Sequence, residues 1–265
     1  MSADGYADSL ARVEEVTAEQ DAAVLGDELF AVAGLLGREA SLRRAVTDPS
    51  ATAEAKRQLV RTVFDTKLTD GTIDVVATAA GSRWSSASDF VDTIERLAVM
   101  SFVIAAEKNG HLNELEDELF RFGRVVASDP GLRDAITNNA VPAEHRQALV
   151  RGLLEGKVSP STASLAVHMV SSRHRSIEAA LDEYQKVAAD RQQRVVAVVR
   201  SAIELSDDER DRLAAALANQ YDRDIQLNLV VDPDVIGGIR VEIGDDVIDG
   251  TVAARLDDAR RRITR

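Results

Sequence analysis

The chain has 265 residues, 45% of them hydrophobic and 4% aromatic, so it is long enough for two or three small domains whose cores rest mainly on Ala, Leu and Val. A formal net charge of −13 argues against nucleic acid and against a bare anionic membrane surface as partners, because both need clustered Lys and Arg. Cysteine is absent, which excludes disulfides and thiolate chemistry. No apolar run approaches the roughly 20 residues of a membrane span, so no membrane insertion is expected. The stretch Met1 to Leu10 carries Asp4 and Asp8 and no apolar signal-peptide segment, so a cytosolic setting is the expectation.

In chain order, Tyr6, Leu10, Val13 and Val16 stand at helical spacing and predict a helix over about 5–20. Leu25, Leu29, Val32 and Leu36 predict the next, over 22–37. Asp48, Pro49 and Ser50 form a turn, because proline restricts its predecessor and lacks a donor. A helix follows over about 52–66, with Leu59, Val60, Val63 and Phe64 apolar, and another over about 70–82. Phe90, Ile94, Leu97, Ser101 and Ile104 then step by 4, 3, 4 and 3 along one unbroken helix over 86–109, which Asn109 and Gly110 stop. Leu115, Leu119, Phe122 and Val126 mark the next helix, and Asp129, Pro130 and Gly131 read as a break. Pro142 sits near a helix start, where its missing N–H costs least. Helices over about 160–172 and 176–193 close this part.

The period then changes. Val195 to Val199 reads as a strand, and Ser206 with Asp207, Asp208 and Glu209 opens a helix to about Asp222. Ile225, Leu227 and Leu229 alternate with polar residues, as do Ile239, Val241 and Ile243; Val247 and Ile248 form a short strand, and 251–264 a last helix. This predicts a small α/β domain with a three- or four-stranded sheet.

The first part says nearly the same thing twice, 90 residues apart. Residues 25–98 and 115–188 align without a gap at 21 identities in 74 positions, among them Leu25, Asp27, Glu28, Leu29 and Phe30 with Leu115, Asp117, Glu118, Leu119 and Phe120. A repeat this long is a duplicated domain, since solenoid units run about 20–50 residues. The long helix ends one copy and begins the other, so the copies are expected to share it. The fold class is therefore mostly α: two tandem helical bundles sharing a long helix, over 1–91 and 92–193, followed by a small α/β domain over 194–265.

Motifs for chemistry are missing. Gly237 and Gly238 lack the Lys-Ser/Thr of a phosphate loop and read as a tight strand entry, where a side chain would clash or a positive φ is needed. Asp245, Asp246 and Asp249 lack the spacing of a calcium loop and read as turn and cap residues. His111, His145, His168 and His174 are scattered, and His168 reads as a core or rim imidazole. Arg83, Arg173 and Arg175 stand near helix ends, where cations suit the macrodipole. Trp84, the one tryptophan, is either an interface or a core residue. No catalytic residue, metal ligand or cofactor is expected.

The stretch from Val231 through Asp232, Pro233, Gly237, Gly238, the alternating strand to Ile243, Gly244-Asp245 and Val247-Ile248-Asp249-Gly250-Thr251 resembles the C-terminal signature of one family, the δ subunit of the bacterial F-type ATP synthase, homologue of the mitochondrial oligomycin-sensitivity-conferring protein. Residues 92–193 resemble that family's six-helix N-terminal domain, and 1–91 an extra copy of it, as in actinobacterial members. The resemblance implies a non-catalytic peripheral-stalk subunit at the cytoplasmic face of the cell membrane. It would grip N-terminal helices of α subunits with its N-terminal domain and the b subunit's C-terminal region with its C-terminal domain. A groove between the first and fifth helices of the second copy is the expected helix-binding site, with Val99, Phe102, Val103, Ala106, Leu165, His168 and Met169 as contacts. Trp84 and the basic end Arg255, Arg260 and Arg261 are further partner-binding candidates. The rival reading is a free-standing cytosolic adaptor for partner helices.

Overall fold

The computed structural model describes residues 3–138, 140–174, 176–192, 195–203, 205–221, 225–232, 235, 237–243 and 246–249. Two compact units divide the chain, Met1–Ala189 and Asp190–Arg265.

The first unit is helical. Its elements are α1 (Ala3–Glu19), α2 (Ala22–Arg38), α3 (Ala40–Val46), α4 (Ala53–Phe64), α5 (Asp70–Gly81), α6 (Ala87–Lys108), α7 (Leu112–Ser128), α8 (Pro130–Thr137), α9 (Ala143–Leu154), α10 (Pro160–Met169) and α11 (Ile177–Gln192), whose last residues run into the second unit. Fifteen of the 22 residues of α6 are buried, so this helix is covered nearly all round and serves as the axis of both copies. One contiguous apolar core runs from Leu10 to Ala188 through both. Ser86 caps the start of α6 by accepting from the Asp89 N–H, and the Asn109 N–H donates back to the Ala105 carbonyl at its end. Gly110, at φ +73°, supplies the left-handed stop.

Two short helices, α3 and α8, were not expected from periodicity, which one or two turns cannot display. Asp129 and Pro130, expected as a break, instead start α8: the Asp129 carboxylate accepts from the Gly131 and Leu132 N–H groups, and Pro130 fills the first helical turn.

The duplication is visible atom by atom. Glu28 of α2 reaches the start of α5, accepting from the Thr69 N–H at 3.1 Å, the Thr69 hydroxyl at 2.7 Å and the Thr72 hydroxyl at 2.5 Å. Ninety residues on, Glu118 of α7 reaches the start of α10, accepting from the Ser159 N–H at 3.0 Å and its hydroxyl at 2.9 Å. At the far end of these helices Lys56 donates to the Ser82 carbonyl, and its counterpart Arg146 donates to the Ile136 and Val170 carbonyls. Burial holds the Lys56 ammonium below the usual lysine range, with Arg83 and Arg57 adding to the effect.

The second unit holds β1 (Val195–Ser201), α12 (Asp207–Tyr221), β2 (Ile225–Val231), β3 (Ile239–Ile243) and β4 (Asp246–Asp249). The sheet order is β2-β1-β3-β4: α12 crosses from β1 to the parallel β2, and β3 runs antiparallel to both β1 and β4. Ala197, Val199, Leu217, Val241 and Ile243 form its core. Gly237 and Gly238 enter β3 at φ +66° and +82°, the left-handed backbone that favours glycine. The expected helix over 251–264, with Arg255, Arg260 and Arg261, lies outside the described residues, as do Asp245 and Arg175.

Candidate partner-binding surface

The second half of α6 and α10 do come together, and the residues expected to line a groove between them are neighbours in the core. That groove is not open. Val99, Phe102, Val103, Ala106, Leu165 and Met169 are each 2% exposed or less. The cover is α2, from the first copy, whose most extensive packing is against α6 and which also touches α10. Phe30 of α2 stacks on the His168 ring with centroids 4.1 Å apart and planes 10° apart, and lies 6.1 Å from the Phe102 ring. Asp27 meets His168 Nε2 at 2.8 Å. The expectation of an open helix-binding groove is therefore corrected: the chain's own helix occupies it, and only His168 keeps a rim position, with its side chain 20% exposed.

Close approach of α2 to α6 depends on Gly26. A Cβ added at Gly26 would stand 2.6 Å from the Phe102 ring, which has no room to yield because Phe102 is itself fully enclosed. Near the other end Gly37 faces the Arg173 side chain at 3.7 Å. Eight residues of α2 are buried, against four in its counterpart α7, namely Leu115, Leu119, Phe122 and Val126. Thus α2 is enclosed on two sides, and α7 along one stripe only.

Trp84 sits at the end of α5 as a half-buried residue. Its indole N–H donates to the Ala79 carbonyl at 2.9 Å, and its ring lies 5.6 Å from Phe90. Arg96 joins both copies across the shared helix: it pairs with Glu183 of α11, donates to the Tyr6 hydroxyl of α1 and stands 5.2 Å over that ring.

Beside it lies a cavity of about 420 Å³ lined by residues including Glu95, Arg173, His174 and Tyr184. Glu95 is nearly enclosed; burial raises its carboxyl above the usual range, opposed by His174, whose Nε2 is 3.7 Å away. Burial and the neighbouring Glu95 push the Tyr184 phenol well above its ordinary value, and its hydroxyl donates to Glu95 at 3.5 Å. Among the described residues no group of three or more His, Asp or Glu side chains could hold a metal ion.

Sequence reasoning missed Gly26, Asp27 and Phe30 as occupants of the groove, and Phe120 and Val125 as large apolar residues left exposed. The signal was in the repeat. Gly26 of α2, which lets the Phe102 ring approach, stands where α7 has Glu116, so one helix is shaped for close packing at that point and the other is charged.

Residues 96–263 match the family described as ATP synthase delta (OSCP) subunit. Proteins called ATP synthase subunit delta are 47% identical to this chain in Streptomyces coelicolor and 48% in Kineococcus radiotolerans, each over 92% of this chain, and over 89% and 88% of those proteins. The Thermobifida fusca protein of that name is 41% identical over 95% of this chain and 94% of its own length. Alignments of this extent reach well into the first helical copy. The chain belongs to the ATP synthase delta (OSCP) subunit family.

Proposed function

We infer that this chain is the non-catalytic stator component of an F-type ATP synthase, tying the α3β3 catalytic head to the b-subunit stalk so that rotation is coupled to ATP synthesis. The observation that carries this reading is the family match over 96–263, together with near full-length likeness to δ subunits. The fold suits the task. A stator element must transmit force without slipping, and a helical unit with one continuous core around a central helix resists deformation. The partners proposed are N-terminal helices of the α subunits for the helical unit and the C-terminal region of b for the α/β unit. Docking an amphipathic helix on a helical surface is a common recognition mode, and several such contacts add by effective concentration. Val99, Phe102, Val103, Ala106, Leu165 and Met169 serve these contacts as the floor on which α2 rests, not as the contacting surface. Trp84, His168 and the basic end Arg255, Arg260 and Arg261 remain proposed contacts, the last three for an acidic partner helix. The place proposed is the cytoplasmic face of the cell membrane, held there by the complex; among the described residues no helix is long and apolar enough to cross a membrane.

Fractionation tests this. The chain should sediment with membranes and leave them on mild stripping together with α and β subunits. A chain found wholly in the soluble fraction, unaccompanied by either, would contradict the reading.

A further inference from the structure

The repeat supplies an internal comparison for the cavity beside Arg96. In the first copy the Trp84 indole closes the corresponding region: its ring lies 5.6 Å from Phe90, and a Cβ added at Gly5 would stand 3.3 Å from it. Ninety residues on, the second copy has His174 for Trp84, Ala180 for Phe90 and Glu95 for Gly5. Two large rings give way to an imidazole and a methyl group, and a carboxylate enters where the first copy has no side chain. Tyr184 likewise puts a phenol where the first copy has Ile94. The result is the space of about 420 Å³, with Glu95 and Tyr184 buried in its wall. That volume falls in the range of about 300–1,000 Å³ typical of small-molecule sites. Buried polar groups cost stability where apolar ones would serve, and the first copy is built without them at these positions.

The lining selects the charge of an occupant. Four carboxylates, of Asp89, Asp92, Glu95 and Glu183, meet two guanidinium groups there. Both arginines already face an acid: Arg96 pairs with Glu183, and Arg173 stands 3.9 Å from Asp92. Glu95 accepts from the Tyr184 hydroxyl at 3.5 Å and from the Arg173 backbone, and the nearest basic side-chain nitrogen among the described residues is His174 Nε2 at 3.7 Å. A carboxylate has about four acceptor sites, so Glu95 retains capacity for a strong donor. Guanidinium and amidinium groups suit it. They present two parallel N–H donors to a carboxylate, lie flat on aromatic rings, and shed water more readily than an ammonium.

We propose that this cavity is a binding site for a planar organic cation of the guanidinium or amidinium class, held by Glu95 beside the His174 and Tyr184 rings. The site goes beyond the stator reading and does not depend on it. Isothermal titration calorimetry of the full chain with benzamidine, and with its neutral relative benzamide, tests it. Benzamidine should bind one to a chain, and benzamide about tenfold or more weakly, because it lacks the charge. Glu95→Gln should weaken benzamidine binding about tenfold or more. His174→Trp, which installs the first copy's residue and fills the space, should abolish it. Phe120→Ala, at an exposed residue of α7, should leave it unchanged. Circular dichroism and melting identify the folded variants; should Glu95→Gln not fold, His174→Trp decides. No binding of benzamidine, equal binding of benzamide, or wild-type affinity in either folded cavity variant overturns the proposal and leaves the stator reading standing. Benzamidine that also blocks rebinding of the chain to ATP synthase stripped of it marks the natural occupant as an arginine side chain of another subunit. Benzamidine that binds without blocking marks it as a free cation of the same class.

Discussion

Phe30 and His168, 138 positions apart in the chain, stack face to face at 4.1 Å. This contact locks the first helical copy into the second. It converts what the repeat alone suggests, two bundles joined by a helix, into one body in which a helix of the first copy fills the groove of the second. The chain thus carries its own occupant for a surface that would otherwise invite a partner. As a member of the delta (OSCP) family, it is a structural subunit and not an enzyme.

The asymmetry between copies gives a direct stability test. Phe30→Ala removes a nearly enclosed ring and should destabilise the helical unit by about 3 kcal/mol. Phe120→Ala, at the exposed equivalent, should change stability by less than about 0.5 kcal/mol. Chemical denaturation of the two variants measures both. Equal effects would mean that α2 does not cover the groove.

Glu28 and Glu118 perform one task twice, each accepting N–H and hydroxyl donors at the start of the fifth helix of its copy. Replacing either by Ala leaves the half-buried Thr69 or Ser159 N–H without its acceptor and should cost about 1–3 kcal/mol. The effects should add in the double variant, because the clasps share no residue. Thermal melts of the single and double variants check this.

Thr66 occupies left-handed backbone at φ +61°, where a β-branched side chain is strained; its counterpart Gly156 adopts φ +67° with no neighbour in the way. Thr66→Gly should therefore stabilise the protein by about 1 kcal/mol, relief of strain outweighing the added freedom of the unfolded chain. Gly156→Thr should destabilise by a similar amount. Melting temperatures of the two exchanges should move in opposite directions.

Glu95 predicts a pH dependence. Its folded carboxyl lies above the unfolded value because it is buried, with His174 only partly opposing. The folded state therefore holds this proton more tightly than the unfolded state does. The associated stabilisation is complete below the unfolded value and is lost as pH rises through the folded one. Glu95→Gln cannot ionise, so its melting temperature relative to wild type should be higher at about pH 7 than at about pH 4. A difference that does not vary with pH would show that folding leaves the proton affinity of Glu95 unchanged, and one that varies in the opposite sense would show that folding favours its ionised form.

Much of this architecture was legible. Stripes such as Leu25, Leu29, Val32 and Leu36 place the helices to within a few residues, because burial of one helix face leaves a period of 3.6 in the sequence. The change to alternation at Ile225 and Ile239 marks the sheet for the same reason. The groove was legible only in part. Phe102, Leu165 and Met169 lie buried in one core on helices that touch, but periodicity reports that a residue is covered and not which element covers it. The identity of the cover lay in a comparison between copies, in Gly26 of α2 against Glu116 of α7. Arg255, Arg260 and Arg261 lie beyond the described residues, and their part in binding rests on charge alone.

The most direct measurement is purification of the tagged chain from detergent-solubilised membranes of its own organism, with quantitative mass spectrometry of what accompanies it. The stator account predicts recovery of α, β, γ and b subunits in fixed proportion to the chain. Recovery of the chain alone, or with unrelated soluble proteins, would contradict it.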